Sequence, residues 1–321
     1  MPYKQLTLCK RYEIQAYMQA GISNDKIASL LGIHRSTFYH ELNRNRSSTG
    51  YNSEAAQEKS DSRRKRARKH VRFLESVKEQ VESLLKIDLS PEQISGYLAK
   101  DHQINISHET IYQHILSDKR SGGDLYTHLR WAPKKIRKRY GASDRRGQIE
   151  GKISIEDRPA IVDTKERIGD WEADTAIGKG HQGVLVAAVE RKSKLTVIHY
   201  SPSKRADRVT RALIDMLLPY KDSVLTITVD NGKEFSLHKQ ISKELKADVY
   251  FAHPYRAWER GLNENTIGLI RQYFPKKTNF KRIRKEQINF VESRLNRRPR
   301  KTLGFRTPYE CFHGTTVALG T

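Results

Sequence analysis

The sequence predicts a multidomain chain in which all-α helix-turn-helix modules are followed by a mixed α/β core. Three observations predict it. Short amphipathic segments with capping residues and turn glycines occupy the amino-terminal part, β-branched runs begin only near Ile168, and 321 residues exceed the roughly 100–200 of one domain.

The first helix is expected over residues 7–20, where Leu8, Tyr12, Ile14, Tyr17 and Met18 fall at helical spacing and Gly21 ends the run. Ser23 is placed to cap a second helix, Asn24–Leu31, which carries Ile27, Ala28, Leu30 and Leu31. Gly32 then permits a tight turn into Ile33–Leu42. Ala28, a small residue four positions before Gly32, lets the two helices cross closely, as in a helix-turn-helix. The third helix directs Arg35, Ser36, Thr37, His40 and Arg44 toward a major groove, where such side chains reach base edges and phosphates.

Residues 59–72 hold eight Lys or Arg in fourteen and read as a basic linker or as a helix extension that grips phosphates. A second module, 73–117, shows a capping box at Ser90, Pro91 and Gln93, with Ile94, Tyr97 and Leu98 on its apolar face. Its next helix begins at Ser107, turns Ile111, Tyr112 and Ile115 inward, and offers His108 and Thr110 to DNA. A second basic linker is expected over 118–160, with some helix near Leu125–Trp131 and a basic run at Lys134–Arg139.

From residue 161 the core is expected. Strands read as Trp171–Ile177, Gly183–Arg191 and Lys194–Ser201, followed by a helix Ala206–Leu218 and a β-branched strand Val224–Val229. A helix near Glu234–Leu245, a strand Asp248–Phe251 and a helix Glu259–Phe274 complete the order β-β-β-α-β-α-β-α, which is a ribonuclease-H-like core.

Charge points to the partner. The net charge is +23, and both halves are basic: 28 Lys/Arg against 17 Asp/Glu in residues 1–150, and 32 against 20 in 151–321. Such a chain attracts a polyanion and releases its counterions, so nucleic acid is the expected partner rather than a membrane surface. Tandem helix-turn-helix modules favour double-stranded DNA over RNA. No apolar run approaches the roughly 18–20 residues of a bilayer span, and a soluble intracellular protein is expected. Cys9 and Cys311 are too few for a disulfide framework or a Cys-x-x-Cys site, and the twelve histidines lack ligand spacing, so structural zinc is not expected.

Within the core, Asp174, Asp230 and Glu264 are the candidate catalytic and metal-ligating residues. Attack on a phosphodiester needs an activated nucleophile and a stabilised leaving oxygen, and two divalent ions held by carboxylates supply both. Hard Mg²⁺ takes oxygen ligands, and Mn²⁺ can replace it. The first and fourth strands of a ribonuclease-H-like sheet are neighbours, which brings Asp174 toward Asp230, and the last helix can present Glu264 over them. Asp170, Glu172 and Asp174 share one strand face, so alternation alone does not choose among them. Arg271, close to two helical turns after Glu264, projects from nearly the same face and can steady a phosphate.

Trp171–Asp174, Asp230–Phe235 and Glu259–Lys276 resemble the integrase catalytic core of the insertion-sequence-thirty family of bacterial transposases. The 33 residues between Asp230 and Glu264 fit that family's Asp, Asp, 33-residue, Glu pattern, and Ala173 stands where a glycine is expected. The resemblance covers nearly the whole chain. It implies that Asp174 is the first metal carboxylate and that Arg271 fills the basic position after the glutamate. It also implies that the amino-terminal modules bind the element's terminal inverted repeats. The expected activity is DNA transposition by metal-dependent strand cleavage and strand transfer, in a bacterial, nucleoid-associated cytoplasmic protein acting as a dimer or higher oligomer.

Leu295–Glu310 resembles the tail of many integrase-like transposases, either holding DNA or packing as a carboxy-terminal clamp. Tyr255 and Trp258 either flank the cleft or stack on an unpaired base, with core packing the other role for Trp258. The alternative function is a helix-turn-helix repressor with a catalytically silent core, which leaves the carboxylates unexplained. A retroviral-type integrase is a rival by reaction, but its His/Cys zinc module is missing.

Overall fold

The chain divides into two units, 1–72 and 73–321, and the described residues of the first form four helices. The computed structural model describes residues 5–47, 50–66, 73–130, 149–254 and 256–315. In the first unit α1 (Leu8–Gln19), α2 (Asn24–Leu30), α3 (Arg35–Asn45) and α4 (Ser53–Arg66) enclose Ile14, Ile27, Ala28, Phe38 and Leu42. Gly21 and Gly32 take φ of 72° and 60°, a region open to glycine, and so make the two turns. Ser23 occupies the N-cap of α2 without a side-chain cap bond. At α3 the His34 ring caps instead, accepting from the Ser36 N–H at 3.3 Å.

The basic run expected as a linker is helical through Arg66, and α4 packs along α1. Lys59 donates to the Asn45 carbonyl at 3.2 Å and Arg63 to that of Arg44 at 3.1 Å, so both cations sit at the negative end of α3. Residues 67–72 lie outside the described residues. A buried Arg11–Glu41 pair at 2.7 Å, joined by the Tyr51 hydroxyl at 3.0 Å, ties α1 to α3.

The second unit opens with α5 (Glu75–Lys86), α6 (Pro91–Asp101) and α7 (His108–Arg120), packed around Val81, Leu85, Ile94, Leu98, Ile111 and Ile115. The capping box at Ser90 and Gln93 forms, and Ser107 caps α7. Tyr112 corrects the expectation: it is exposed, because the inward stripe of α7 is filled by Ile111 and Ile115. A short 3-10 turn, Leu125–His128, falls where some helix was expected. Residues 131–148, with the Lys134–Arg139 run, lie outside the described residues.

The α/β core then runs β1 (Ile153–Ser154), α8 (Ile161–Thr164), β2 (Asp170–Ile177), β3 (Val184–Glu190), β4 (Thr196–Ser201), α9 (Ala206–Leu217), β5 (Thr226–Val229), α10 (His238–Leu245), β6 (Asp248–Phe251), α11 (Gly261–Tyr273), α12 (Lys285–Asn296) and α13 (Pro308–His313). Its sheet has the order β1-β6-β5-β2-β3-β4, with β2, β3 and β4 antiparallel and β2, β5, β6 and β1 parallel. β1 falls inside the stretch expected as a second linker. Trp171, Ala173, Ile227 and Val229 face α9 and α10, whereas Ala176, Leu185, Ala187 and Ile198 face α11 and α12. One sheet face is therefore mostly apolar, with Glu190 buried at its end, and the other carries the acids of β2 beneath α11.

The second helical module is seated on this core. The Tyr273 hydroxyl donates to Asp88 at 3.1 Å, Arg294 to the Ile87 carbonyl at 3.3 Å, and Lys301 to Glu92 at 2.7 Å. Gly96 leaves room for the Phe305 ring, into which any Cβ there would run at 2.2 Å.

Candidate active site

Alternation along β2 points Asp170, Glu172 and Asp174 to the α11 face, and their environments separate them. Asp170 is fully buried, clasped by Arg167 through two bonds of 2.9 Å and by the Thr226 hydroxyl at 2.7 Å. Its lone pairs are occupied. Glu172, also buried, accepts the Asn263 N–H at 3.3 Å and lies 3.3 Å from Arg191. Burial pushes its carboxyl upward against the pull of Arg191. The Asp174 side chain is a quarter exposed and reaches the surface.

Asp170 pairs with Thr226 and Glu172 with Thr228 across β2 and β5. The same offset of 56 residues, carried two positions further, sets Asp230 beside Asp174, just past the end of β5. Asp230 also accepts the Gly232 N–H at 2.9 Å. A Cβ on Gly232 would meet Glu234 Oε2 at 2.3 Å and Asp230 Oδ1 at 2.8 Å, so a side chain there would push both carboxylates aside.

The two aspartates share a cation of the chain's own. Arg260, immediately before α11, lies 3.4 Å from Asp174 Oδ2 with one nitrogen and 3.8 Å from Asp230 Oδ2 with the other. Buried Glu234 adjoins them, receiving the Thr175 hydroxyl at 3.1 Å and Lys204 at 2.8 Å. Burial raises the Asp174 carboxyl above its ordinary range; Arg260 opposes the rise, and Asp230 and Glu234 add to it.

Glu264 and Arg271 lie differently from the sequence expectation. Glu264 is exposed on the first turn of α11, and among the described residues no three acidic, histidine or cysteine side chains converge closely enough to hold a metal. Carboxylates repel one another unless a cation lies between them, and here that cation is Arg260. Arg271 does not share the outlook of Glu264. It donates to the Ile177 carbonyl at 2.7 Å and rests on the Phe280 ring, drawn in by the apolar layer between α11 and the sheet.

On α3, Arg35, Ser36, His40 and Arg44 are exposed and Thr37 partly so. Arg35 pairs with Asp25 at 2.8 Å, and the Ser36 hydroxyl lies 2.8 Å from the His34 ring. On α7, His108 is exposed while the Thr110 hydroxyl lies 2.9 Å from that of Ser107, within the helix cap. Tyr255 and the side chain of Trp258 lie outside the described residues. Sequence reasoning missed Arg260, Glu234 and Arg191. The first two stand inside the quoted motifs, but nothing in their spacing tells which way they turn.

Fold and site define a class: a helix-turn-helix protein whose α/β core sets two aspartates side by side at the edge of a parallel strand pair. A family described as a helix-turn-helix domain matches residues 2–45. The chain is 41% identical over 311 residues to the transposase for insertion sequence element IS4351 of Bacteroides fragilis, covering 96% of this chain and 95% of that one. It is 33% identical over 317 residues to transposase InsI for insertion sequence element IS30A of Escherichia coli K12, covering 95% and 82%. Among solved structures, the catalytic core domain of BIV integrase aligns at 21% identity with a TM-score of 0.36, over 46% of this chain and 95% of that one. The chain belongs to the IS30 family of insertion-sequence transposases.

Proposed function

We propose that this transposase cuts and joins DNA strands at Asp174 and Asp230 with divalent metal, Glu264 completing the ligand set. The observation that carries the reading is the shared cation: two partly exposed aspartates, one on β2 and the other just past the end of the neighbouring β5, flank one guanidinium. Arg260 Nη1 lies 3.4 Å from Asp174 and makes no hydrogen bond, so the arginine is held there by charge. Hard oxygen donors of this kind suit Mg²⁺ or Mn²⁺.

Asp174 and Asp230 would hold the metal. Glu264, in the first turn of a 13-residue helix, has an exposed side chain free to turn toward them. Bound there, divalent ions activate the attacking oxygen and stabilise the leaving one. Water attack and attack by a 3′ hydroxyl are both in-line displacements at phosphorus, so one site serves cleavage and joining. The exposed residues of α3 and of α7 are the proposed contacts to the element's ends. Bringing two ends together requires at least two copies of the chain. Among the described residues no helix is long and apolar enough to cross a membrane, and a cytoplasmic, nucleoid-associated location is part of the proposal.

The test is strand cleavage and joining on labelled DNA carrying the element's ends, with Mg²⁺ or Mn²⁺. Asp230→Asn and Glu264→Gln are expected to lower product by at least a hundredfold while end binding is kept. Binding with no product under any metal condition would replace the reading with a DNA-binding repressor.

A further inference from the structure

Behind Glu172 lies a pocket of about 360 Å³, lined on one side by Lys165, Arg191, Lys194 and Arg300 and on another by the start of α11. Its two carboxylates already have partners. Glu172 is held by Arg191 and the Asn263 N–H, and Glu259 by the N–H and ring of His253, both at 2.9 Å. Arg191 also pairs with Asp163 at 3.3 Å, and Lys194 donates to the Arg191 carbonyl; four cations against these three carboxylates still leave an excess of positive charge.

Some of that capacity is unspent. Arg191 is 4% exposed, and its Nε has no hydrogen-bond partner; the Nε of Arg300 has none either. A buried guanidinium N–H without an acceptor is costly unless one enters, and both arginines line this pocket. Gly261, the first residue of α11, opens onto free space, and the helix presents its positive end there. Lys165 and Lys194 both stand at positive φ, 58° and 66°, where glycine or asparagine fits more easily.

We propose that this pocket holds one backbone phosphate of the DNA strand engaged by the acidic pair. The proposal rests on the reading above that the chain acts on DNA strands. Glu172 and Asp174 are two residues apart on one strand face, roughly 6.6–6.8 Å, a reach comparable with one phosphate step. A strand with one phosphate at Asp174 and Asp230 therefore places a neighbouring phosphate over the start of α11. Arg191, Arg300, Lys194 and the helix end supply its donors.

The experiment measures binding of a labelled duplex bearing the element's terminal sequence by fluorescence anisotropy, over about 0.05–0.2 M salt. The proteins are the full chain and its Lys165→Asn, Lys194→Asn and double variants. Asparagine accepts the left-handed backbone and removes the charge. Lys246→Asn is the matched control, at a helix end with φ of 55° and outside the pocket lining. Lys165 is exposed, so its variant folds, and thermal melting verifies all four.

The expected result is weaker binding, several-fold at the highest salt. The slope of log affinity against log salt should fall by about one in the double variant, as for a single lost phosphate. The control should keep the wild-type slope. Pocket variants with the slope of the control would overturn the phosphate assignment while leaving the DNA reading intact. Wild-type protein with no salt-dependent binding would overturn the DNA reading and the pocket's ligand together.

Discussion

Asp174, Asp230 and Arg260 show how a single side chain can hold an acidic site together. Two neighbouring carboxylates, one within β2 and one just past β5, repel, and the guanidinium between them offsets that repulsion. The same charge must compete with an incoming divalent ion. Arg260→Gln is therefore expected to tighten Mn²⁺ binding several-fold, read by titration with electron paramagnetic resonance in the absence of DNA. Unchanged or weaker binding would show that Arg260 does not occupy the metal's place. Away from the site, burial raises the Glu292 carboxyl, even though it accepts the Ile198 N–H at 2.7 Å. The folded chain thus binds this proton more tightly than the unfolded chain. Glu292 therefore costs stability at pH 7, and the cost fades as pH falls through its raised value and is gone below the ordinary carboxylate range. Glu292→Gln, which keeps an acceptor for Ile198, should raise the urea midpoint at pH 7 and leave it nearly unchanged near pH 3.

At the scale of elements, local chemistry set the starts of helices more clearly than their roles. The box at Ser90 and Gln93 was legible because Ser-Pro-x-Gln satisfies two N–H groups reciprocally, and both bonds form. Ser90→Ala should lower the stability of the second unit by about 1 kcal/mol, measured by urea denaturation. The helix α5 escaped notice although Val77, Val81, Leu84 and Leu85 follow helical spacing, because the preceding basic run reads as solvated chain. The strands were nearly all legible, since β-branched residues between turn formers admit few alternatives. Of the two roles left open for the tail, packing is the one two of its arginines take. Arg298 is buried, donating to the Tyr273 hydroxyl at 3.0 Å, and Arg300 donates to the Leu295 carbonyl at 3.1 Å. These arginines brace the end of α12 and the turn after it. Burial pulls Arg300 down to about 10, which suits a side chain shielded from water.

At the scale of the whole second unit, the helical module α5–α7 is part of the catalytic body. Glycine at 96 is what admits Phe305, so Gly96→Leu should force the module off its seat. The expected outcome is a loss of about 1–3 kcal/mol and early protease cleavage between the module and the sheet. A variant as stable and as resistant as wild type would show that the contact does not hold the module. Because Asp88, Glu92 and Gly96 meet Tyr273, Lys301 and Phe305, the residues of α7 proposed to contact DNA are held at a fixed distance from Asp174. Recognition and cutting by this unit should therefore keep a constant spacing along DNA.

The sequence by itself determined most of the elements and their order, the family resemblance and the three candidate acids, because turn residues, strand runs and motif spacing are local. It left Asp170, Glu172 and Asp174 equivalent, since alternation places all three on one face. Tertiary structure gave each its own surroundings: an arginine clasp for Asp170, a basic pocket for Glu172, and Asp230 with Arg260 for Asp174. It also turned Arg271 inward and left Glu264 on the surface. Burial and charge pairing depend on neighbours far apart in the chain, and no periodicity along one segment encodes them.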